Sequence, residues 1–111
     1  MIENVESAAR LVIDLLVGRR YRDLESLARG RRMTAAQIES AIAEYGRTLI
    51  VPPSDRLEFD AIFVSGTSPR QWSVNVTLWT LEEGRSDLTL TLTVEDQDSG
   101  LRVELDDIRV L

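Results

Sequence analysis

The stretch from Gln71 to Glu95, QWSVNVTLWTLEEGRSDLTLTLTVE, decides the fold of this chain. Apolar and polar side chains alternate along it in two runs, and such alternation is typical of β-strands with one buried face. Between the runs lies Glu82-Glu83-Gly84, where the glycine can supply the left-handed residue of a three-residue hairpin loop. The stretch therefore predicts an antiparallel hairpin of two strands, Gln71–Leu81 and Ser86–Glu95.

The length of this loop sets the predicted register of the hairpin. Three loop residues pair Leu81 with Arg85, and counting back from that pair puts both apolar rows on one face. A loop of two or four residues would put the two rows on opposite faces, so burial selects the three-residue loop. The predicted facing pairs are Leu78 with Leu88, Val76 with Leu90 and Val74 with Leu92.

One further strand is predicted on each side of the hairpin, Leu57–Val64 before it and Leu101–Val110 after it. The alternation slips in the last strand, and a β-bulge at Asp106-Asp107 would restore it. A turn at Asp96–Ser99 joins the last two strands. It places Val94 near Leu101, Leu92 near Val103 and Leu90 near Leu105.

Helical periodicity comes before the sheet. The predicted helices cover about residues 2–17, residues 21–29 and residues 34–45. The third has the clearest boundaries, because Thr34 and Gln37 form a capping box and Gly46 is a suitable stop. Pro52-Pro53 then prevents further helix and marks the crossing into the sheet.

The predicted fold is α+β, with three N-terminal helices packed on one face of a curved four-stranded antiparallel sheet, in the order ααα-ββββ. We expect a single domain of residues 1–111, with a helical layer over about 1–50 and a sheet layer over about 55–111. The charged residues are also distributed unevenly between these two layers. Residues 1–50 carry 8 Arg and 7 Asp or Glu, whereas residues 51–111 carry 5 Arg and 12 Asp or Glu.

The composition excludes several kinds of chemistry. The chain has no His, no Cys and no Lys, so all 13 of its cationic side chains are Arg. This removes disulfides, zinc and iron–sulfur ligation, Schiff-base lysines and the usual general base at neutral pH. We therefore expect no cofactor and no metal, and we do not expect an enzyme. A net charge of -6 argues against nucleic acid as the partner.

Three chemical alternatives remain beside a plain structural interpretation. Asp14 with Tyr21 or Tyr45 could form a proton-transfer site, although a solvated Asp and two core tyrosines explain the same pattern. Asp96, Asp98 and Gly100 resemble half of a calcium loop, and a hairpin turn explains them equally. Six arginines within residues 19–32 could bind phosphate or form a solvated rim.

The outer face of the predicted hairpin carries the strongest binding signal. It is rich in threonine, as exposed sheet surfaces often are, but Trp79 stands among these short polar side chains. A tryptophan with an acidic rim is a plausible protein-binding anchor, and packing of the indole under a loop or a dimer partner is the alternative. The predicted partner-binding residues are Trp79, Glu82, Glu83, Asp87, Asp106 and Asp107.

Three segments carry a resemblance to a known family. They are EYGRTL at Glu44–Leu49, WTLEEGRSDL at Trp79–Leu88 and DDIRVL at Asp106–Leu111. They look like a small bacterial domain family without assigned function, and some compact acidic proteins of this kind serve as immunity proteins beside toxins. The order of helices and sheet resembles the nuclear transport factor two-like superfamily, with its cystatin-like cone. Its enzymes use carboxylates in a pocket where this chain has Trp, Val and Leu.

These observations lead us to expect a non-enzymatic binding protein, namely an immunity protein that blocks a basic toxin domain, in particular a nuclease, through an acidic sheet surface. Without a signal peptide or an apolar run of membrane-spanning length, the cytoplasm is the expected location and no membrane is expected as a partner. Two alternatives stay open: a small-molecule-binding or enzymatic pocket protein of the same fold, and a homodimeric accessory domain that associates through the threonine-rich face.

Overall fold

The computed structural model describes residues 4–29, 32–98 and 100–110. Its helices are α1 (Val5–Val17), α2 (Tyr21–Leu27) and α3 (Ala35–Tyr45), and its strands are β1 (Leu49–Ile50), β2 (Phe59–Val64), β3 (Gln71–Thr80), β4 (Gly84–Gln97) and β5 (Gly100–Val110). The α+β class and the order of helices before sheet are confirmed. The predicted start of the first helix at residue 2, Arg31 and Ser99 lie outside the described residues.

The helix ends follow the local sequence signals. The side chain of Asn4 accepts a hydrogen bond from the backbone N–H of Ser7 at 2.8 Å and so caps α1. The capping box of α3 is present as predicted, since Thr34 and Gln37 each accept a hydrogen bond from the backbone N–H of the other. Gly46 ends α3 with a φ of 72°, a left-handed conformation that glycine adopts without strain.

The sheet is antiparallel and has five strands, so the predicted count of four is wrong. The additional strand is β1, whose two residues pair with β3 through Leu49–Thr80 and Ile50–Trp79. Two residues are too short to show any periodicity, which is why the sequence does not reveal β1. The strand order is β1-β3-β4-β5, and β2 pairs with the same edge of β3 as β1 does.

The centre of the β3–β4 hairpin has the predicted register, but its end does not. Val76 faces Leu90 and Val74 faces Leu92 as expected, whereas Trp79 faces Arg85 and Thr80 faces Gly84. The predicted pair of Leu81 and Arg85 is therefore wrong, and the loop consists of residues 81–83. The register shift between Thr77 and Trp79 is a bulge, which periodicity alone does not show.

A buried serine explains this bulge. The Ser86 hydroxyl donates to the backbone oxygen of Leu78 at 2.7 Å and accepts from the backbone N–H of Leu88 at 3.1 Å. Both backbone groups lie where the regular strand pairing is interrupted, so the side chain replaces the missing bonds. Leu78 and Leu88 are buried on the inner face even though the bulge separates them from regular pairing.

The predicted register between β4 and β5 is wrong by two residues. Gln97 pairs directly with Gly100, so the pairing continues through Asp96, which was placed in the turn. The observed pairs are Val94 with Val103, Leu92 with Leu105 and Leu90 with Ile108. A shift of two keeps every side chain on its predicted face. The predicted bulge is confirmed, because the register changes between Leu105 and Asp107 and leaves Asp106 as the extra residue.

The core lies between the helices and the inner face of the sheet. The sheet side is filled by the predicted apolar rows, and the helical side by one stripe from each helix. Fully buried members include Val12, Leu16, Leu24, Ile38, Val74, Leu90 and Leu92. Buried core residues come from all the strands except β2, whose residues are exposed or half-buried. Among the described residues, no helix is long and apolar enough to cross a membrane.

Candidate functional site

The loop of the β3–β4 hairpin carries two carboxylates that the fold holds in fixed positions. The first is Glu82, which is exposed and accepts hydrogen bonds from the backbone N–H of Thr48 at 2.9 Å and from its hydroxyl at 3.0 Å. These bonds favour the charged form, and the N–H of Thr48 is the main reason that the pKa of Glu82 lies below its usual value. Glu82 is therefore an ionised carboxylate anchored to the start of β1.

The second fixed carboxylate, Glu83, joins the hairpin to the end of α3. The Tyr45 hydroxyl donates to both of its oxygens, at 2.8 and 3.0 Å, and the Thr80 hydroxyl donates to one of them at 3.0 Å. Burial, and then the hydrogen bond to Glu83, raise the pKa of Tyr45 above 10.0. The hydroxyls of Tyr45 and Thr80 thus hold Glu83 in place. Because both are neutral, they do not compensate its negative charge.

Trp79 lies on the outer face of β3, where its neighbours half-bury it. The guanidinium carbon of Arg56, from the connection between β1 and β2, is 5.7 Å from the ring centroid, within the range of a cation–π contact. On another side, a Cβ placed on Gly84 would be 3.8 Å from Cζ3 of Trp79. The indole therefore packs under the β1–β2 connection, as one of the two sequence interpretations expected. Its Nε1–H is buried and has no hydrogen-bond acceptor among the described residues.

Leu81 is a candidate binding residue that the sequence did not reveal. It follows the last residue of β3 and is 70% exposed, between half-buried Trp79 and the two fixed glutamates. The sequence placed Leu81 in the strand because the loop was predicted one residue too late. A leucine directly before Glu82-Glu83 was the available signal, since an apolar side chain in a loop often marks a contact.

The hairpin brings four of the six predicted binding residues together. Asp87 is exposed in the bulged part of β4, near the Tyr45 hydroxyl that also holds Glu83. We call Trp79, Leu81, Glu82, Glu83 and Asp87 the hairpin surface. Beside it, Arg85 donates to both oxygens of Glu58 at 2.7 and 2.9 Å, so the negative charge of Glu58 is compensated there.

The other two predicted residues, Asp106 and Asp107, lie at the bulge of β5 and not on the hairpin surface. Asp107 pairs with Thr91 of β4. Thr91 is four residues along that strand from Asp87, which corresponds to about 13 Å in an extended strand. Asp107 accepts a hydrogen bond from the backbone N–H of Ile108 at 2.9 Å, which supports the bulge. The predicted single acidic surface is therefore two separate acidic regions, one at the hairpin loop and one at the bulge of β5.

Asp106 is held inside a local network. Its carboxylate accepts from the Thr93 hydroxyl at 2.6 Å and lies 3.1 Å from Nε of Arg32. Burial raises the pKa of Asp106 above its usual value, against the lowering by Thr93 and Arg32. A carboxylate already bonded in this way has less to offer a partner than the carboxylates of the hairpin loop.

The remaining chemical candidates occupy ordinary surroundings. Tyr45 bonds with Glu83 rather than with Asp14, and Asp96 pairs with Arg70. In the described part of the chain, no three acidic side chains are grouped closely enough to hold a metal ion. Arginines of the Arg-rich segment line a groove of about 490 Å³ between α2 and α3, together with Asp23 and Glu39.

Comparison with known proteins places the chain in a family. Residues 13–111 match the family described as a domain of unknown function, DUF7668. The chain belongs to this family. The match covers the hairpin surface and both bulges of this DUF7668 domain, which agrees with the expectation of a small uncharacterised family. No curated protein and no solved structure gives a significant match.

Proposed function

We propose that this DUF7668 domain is a non-enzymatic binding protein whose hairpin surface docks onto a basic surface of another protein. One observation carries the proposal: Glu82 and Glu83 are exposed carboxylates fixed by the neutral donors Thr48, Tyr45 and Thr80. Arg47 also lowers the pKa of Glu82, but the hydrogen bonds from Thr48 come before it, so the carboxylates of Glu82 and Glu83 stay available to an incoming basic surface. They also lose little side-chain entropy on binding.

The apolar part of the proposed contact comes from Leu81, with Trp79 behind it. Leu81 is exposed at the loop directly before Glu82 and Glu83, which is the arrangement of an apolar anchor beside a charged rim. Trp79 becomes available if Arg56 moves aside, and the indole Nε1–H could then donate to the partner. The acidic rim would guide the encounter, and the apolar centre would hold the complex.

In its concrete form, the proposal is an immunity protein of bacterial origin, acting in the cytoplasm on a toxin domain with a basic active site, such as a nuclease. Its carboxylates would take the place of the phosphates that the toxin binds in its substrate. The order of helices and sheet, which resembles the nuclear transport factor two-like superfamily, belongs to this proposal. The interior between helices and sheet is filled by Val74, Leu90 and Leu92, which favours a surface role over a pocket.

Co-expression tests this proposal. The basic C-terminal domain of a toxin encoded beside the gene is expressed alone and together with the wild-type chain, and growth is measured. We expect wild type to protect, Leu81→Ser to protect poorly and Val110→Ser to protect fully. Val110 is the matched control, because it is also an exposed apolar side chain but lies at the end of β5. Equal protection by both variants, or none by wild type, would contradict the proposal.

A further inference from the structure

The strand β2 has an open edge. In the described part of the chain, β3 is the strand that pairs with β2, and it does so in regular register from Phe59–Val76 to Val64–Gln71. Most natural edge strands are protected by lysine, proline, a bulge or a covering segment. Within β2 the sequence FDAIFV contains no lysine and no proline, its register with β3 has no bulge, and its one charged residue is Asp60.

The side chains of β2 are unusually exposed for an apolar strand. Phe59 is 36% exposed, Ile62 60% and Phe63 52%. Phe59 and Phe63 lie on the inner face, opposite Val76 and Trp72, but both are exposed whereas Val76 is fully buried in the core. Phe63 contacts Trp72 edge-to-face, with ring centroids 5.8 Å apart, so its ring is fixed in position. Both faces of β2 thus present apolar surface next to the open edge.

The free backbone groups of β2 can be assigned to particular residues. The N–H of Thr77 donates to the oxygen of Glu58 at 3.0 Å, so the backbone of Glu58 faces β3. Backbone groups alternate in direction along an antiparallel strand. Asp60 and Ile62 therefore also face β3, and the N–H and C=O groups of Phe59, Ala61 and Phe63 point to the open edge.

We infer that this edge pairs with β2 of a second copy of the chain and forms one continuous sheet across a two-fold axis at Ala61. In this register Ala61 faces its own copy, and Phe59 faces Phe63 of the other copy. All three pairs join residues whose backbone groups point outward, which provides six hydrogen bonds. The phenylalanines of the two copies then cover one another on the inner face.

Charge and register single out this arrangement. A two-fold axis at Ala61 places Asp60 opposite Ile62, so no carboxylates face each other. An axis at Asp60 would oppose two carboxylates and would leave only two outward-facing pairs within β2. An axis at Ile62 would leave only two outward-facing pairs within β2. Each copy contributes one six-residue strand, so we expect an interface smaller than the roughly 1,200–2,000 Å² of stable complexes and therefore a reversible dimer.

Charge exchange at the axis tests the dimer. We expect the mass of wild type by sedimentation to rise from 12.5 kDa towards twice that value as concentration increases from about 1 μM to about 1 mM. Ala61→Lys and Ala61→Glu each place like charges together across the axis and should weaken self-association by about tenfold or more. An equimolar mixture of the two places opposite charges together and should restore the dimer.

Ala43→Lys is the matched control, since Ala43 is exposed on α3 and the change in net charge is the same. Circular dichroism verifies that each variant is folded. A wild type that stays monomeric throughout would overturn the inference and leave the edge to a strand of another protein. A dimer that Ala61→Lys does not weaken, that Ala43→Lys weakens equally, or that the mixture does not restore would overturn it as well. These results do not depend on the hairpin surface.

Discussion

The Tyr45 hydroxyl donates to both carboxylate oxygens of Glu83, and this contact ties the last turn of α3 to the β3–β4 hairpin. Tyr45 is 38 residues away from Glu83 in the sequence. The contact therefore exists only once the helical layer has packed on the sheet. The same contact fixes the carboxylate of Glu83, which we propose takes part in binding the partner protein.

Removing this hydroxyl should loosen the hairpin. Tyr45→Phe loses a hydrogen bond to a charged acceptor, so we expect the free energy of unfolding at pH 7 to fall by about 1 kcal/mol. Urea denaturation measures this loss. Tyr21→Phe is the matched control, because Tyr21 lies in the groove between α2 and α3, and it should change stability by less than half as much.

The same variant predicts a pH dependence. The pKa of Tyr45 is raised in the folded protein, mainly by burial, so above pH 10.0 the unfolded chain loses its phenol proton first. The stability of wild type then falls as pH rises through that region, whereas Tyr45→Phe lacks this loss. The difference between the two proteins should therefore shrink above pH 10.0. A difference that stays constant to pH 11 would contradict the assignment.

Ser86 should be far more important than its size suggests. Ser86→Ala leaves the backbone oxygen of Leu78 and the N–H of Leu88 without their bonds in a buried bulge. An unsatisfied buried group costs about 1–3 kcal/mol, so we expect a loss of at least about 1 kcal/mol in thermal or urea denaturation. Ser73→Ala, on the half-buried outer face of β3, should cost less than about 0.5 kcal/mol. Equal costs would mean that the hydroxyl does not support the bulge.

Asp106 predicts a pH dependence of stability in the acid range, with the same sign as that of Tyr45. Because its pKa is raised in the folded state, chiefly by burial, folding is weakened as pH rises from 3.8 through the folded pKa. Asp106→Asn has no such titration, so its stability relative to wild type should be greater at pH 7 than at pH 3. The gain should be about 0.5 kcal/mol or less, since the site is partly open to solvent. Melting temperatures at the two pH values measure it, and a relative gain at pH 3 would contradict the account.

Much of the fold can be predicted because it depends on local periodicity. The inward rows of β3 and β4 follow from alternation, and the start of α3 follows from the spacing of Thr34 and Gln37. The features that the sequence did not predict are those that leave no trace in the periodicity. The two residues of β1 are too few to show a pattern, and the bulge beside Trp79 depends on a hydroxyl that only packing places at Leu78.

The candidate site divides in the same way. The sequence placed Glu82 and Glu83 in a hairpin loop, and the structure agrees. Their partners Thr48 and Tyr45 were missed, because they come from elements 34 and 38 residues away. Asp106 was grouped with the loop carboxylates on charge alone, although its position depends on the pairing of β5. Side-chain charge is visible in the sequence, but its compensation by neighbours is not.

The central claim is the proposal that the hairpin surface binds a basic partner, and the affinity of charge-reversed variants for the candidate toxin domain of the co-expression experiment tests it most directly. Asp87→Arg and Asp14→Arg change the net charge equally at two exposed positions, one on the hairpin surface and one on α1. By isothermal titration calorimetry, we predict that Asp87→Arg raises Kd about tenfold or more and Asp14→Arg less than about twofold. Equal effects of the two variants would mean that binding responds to overall charge, and the hairpin surface would not be the site.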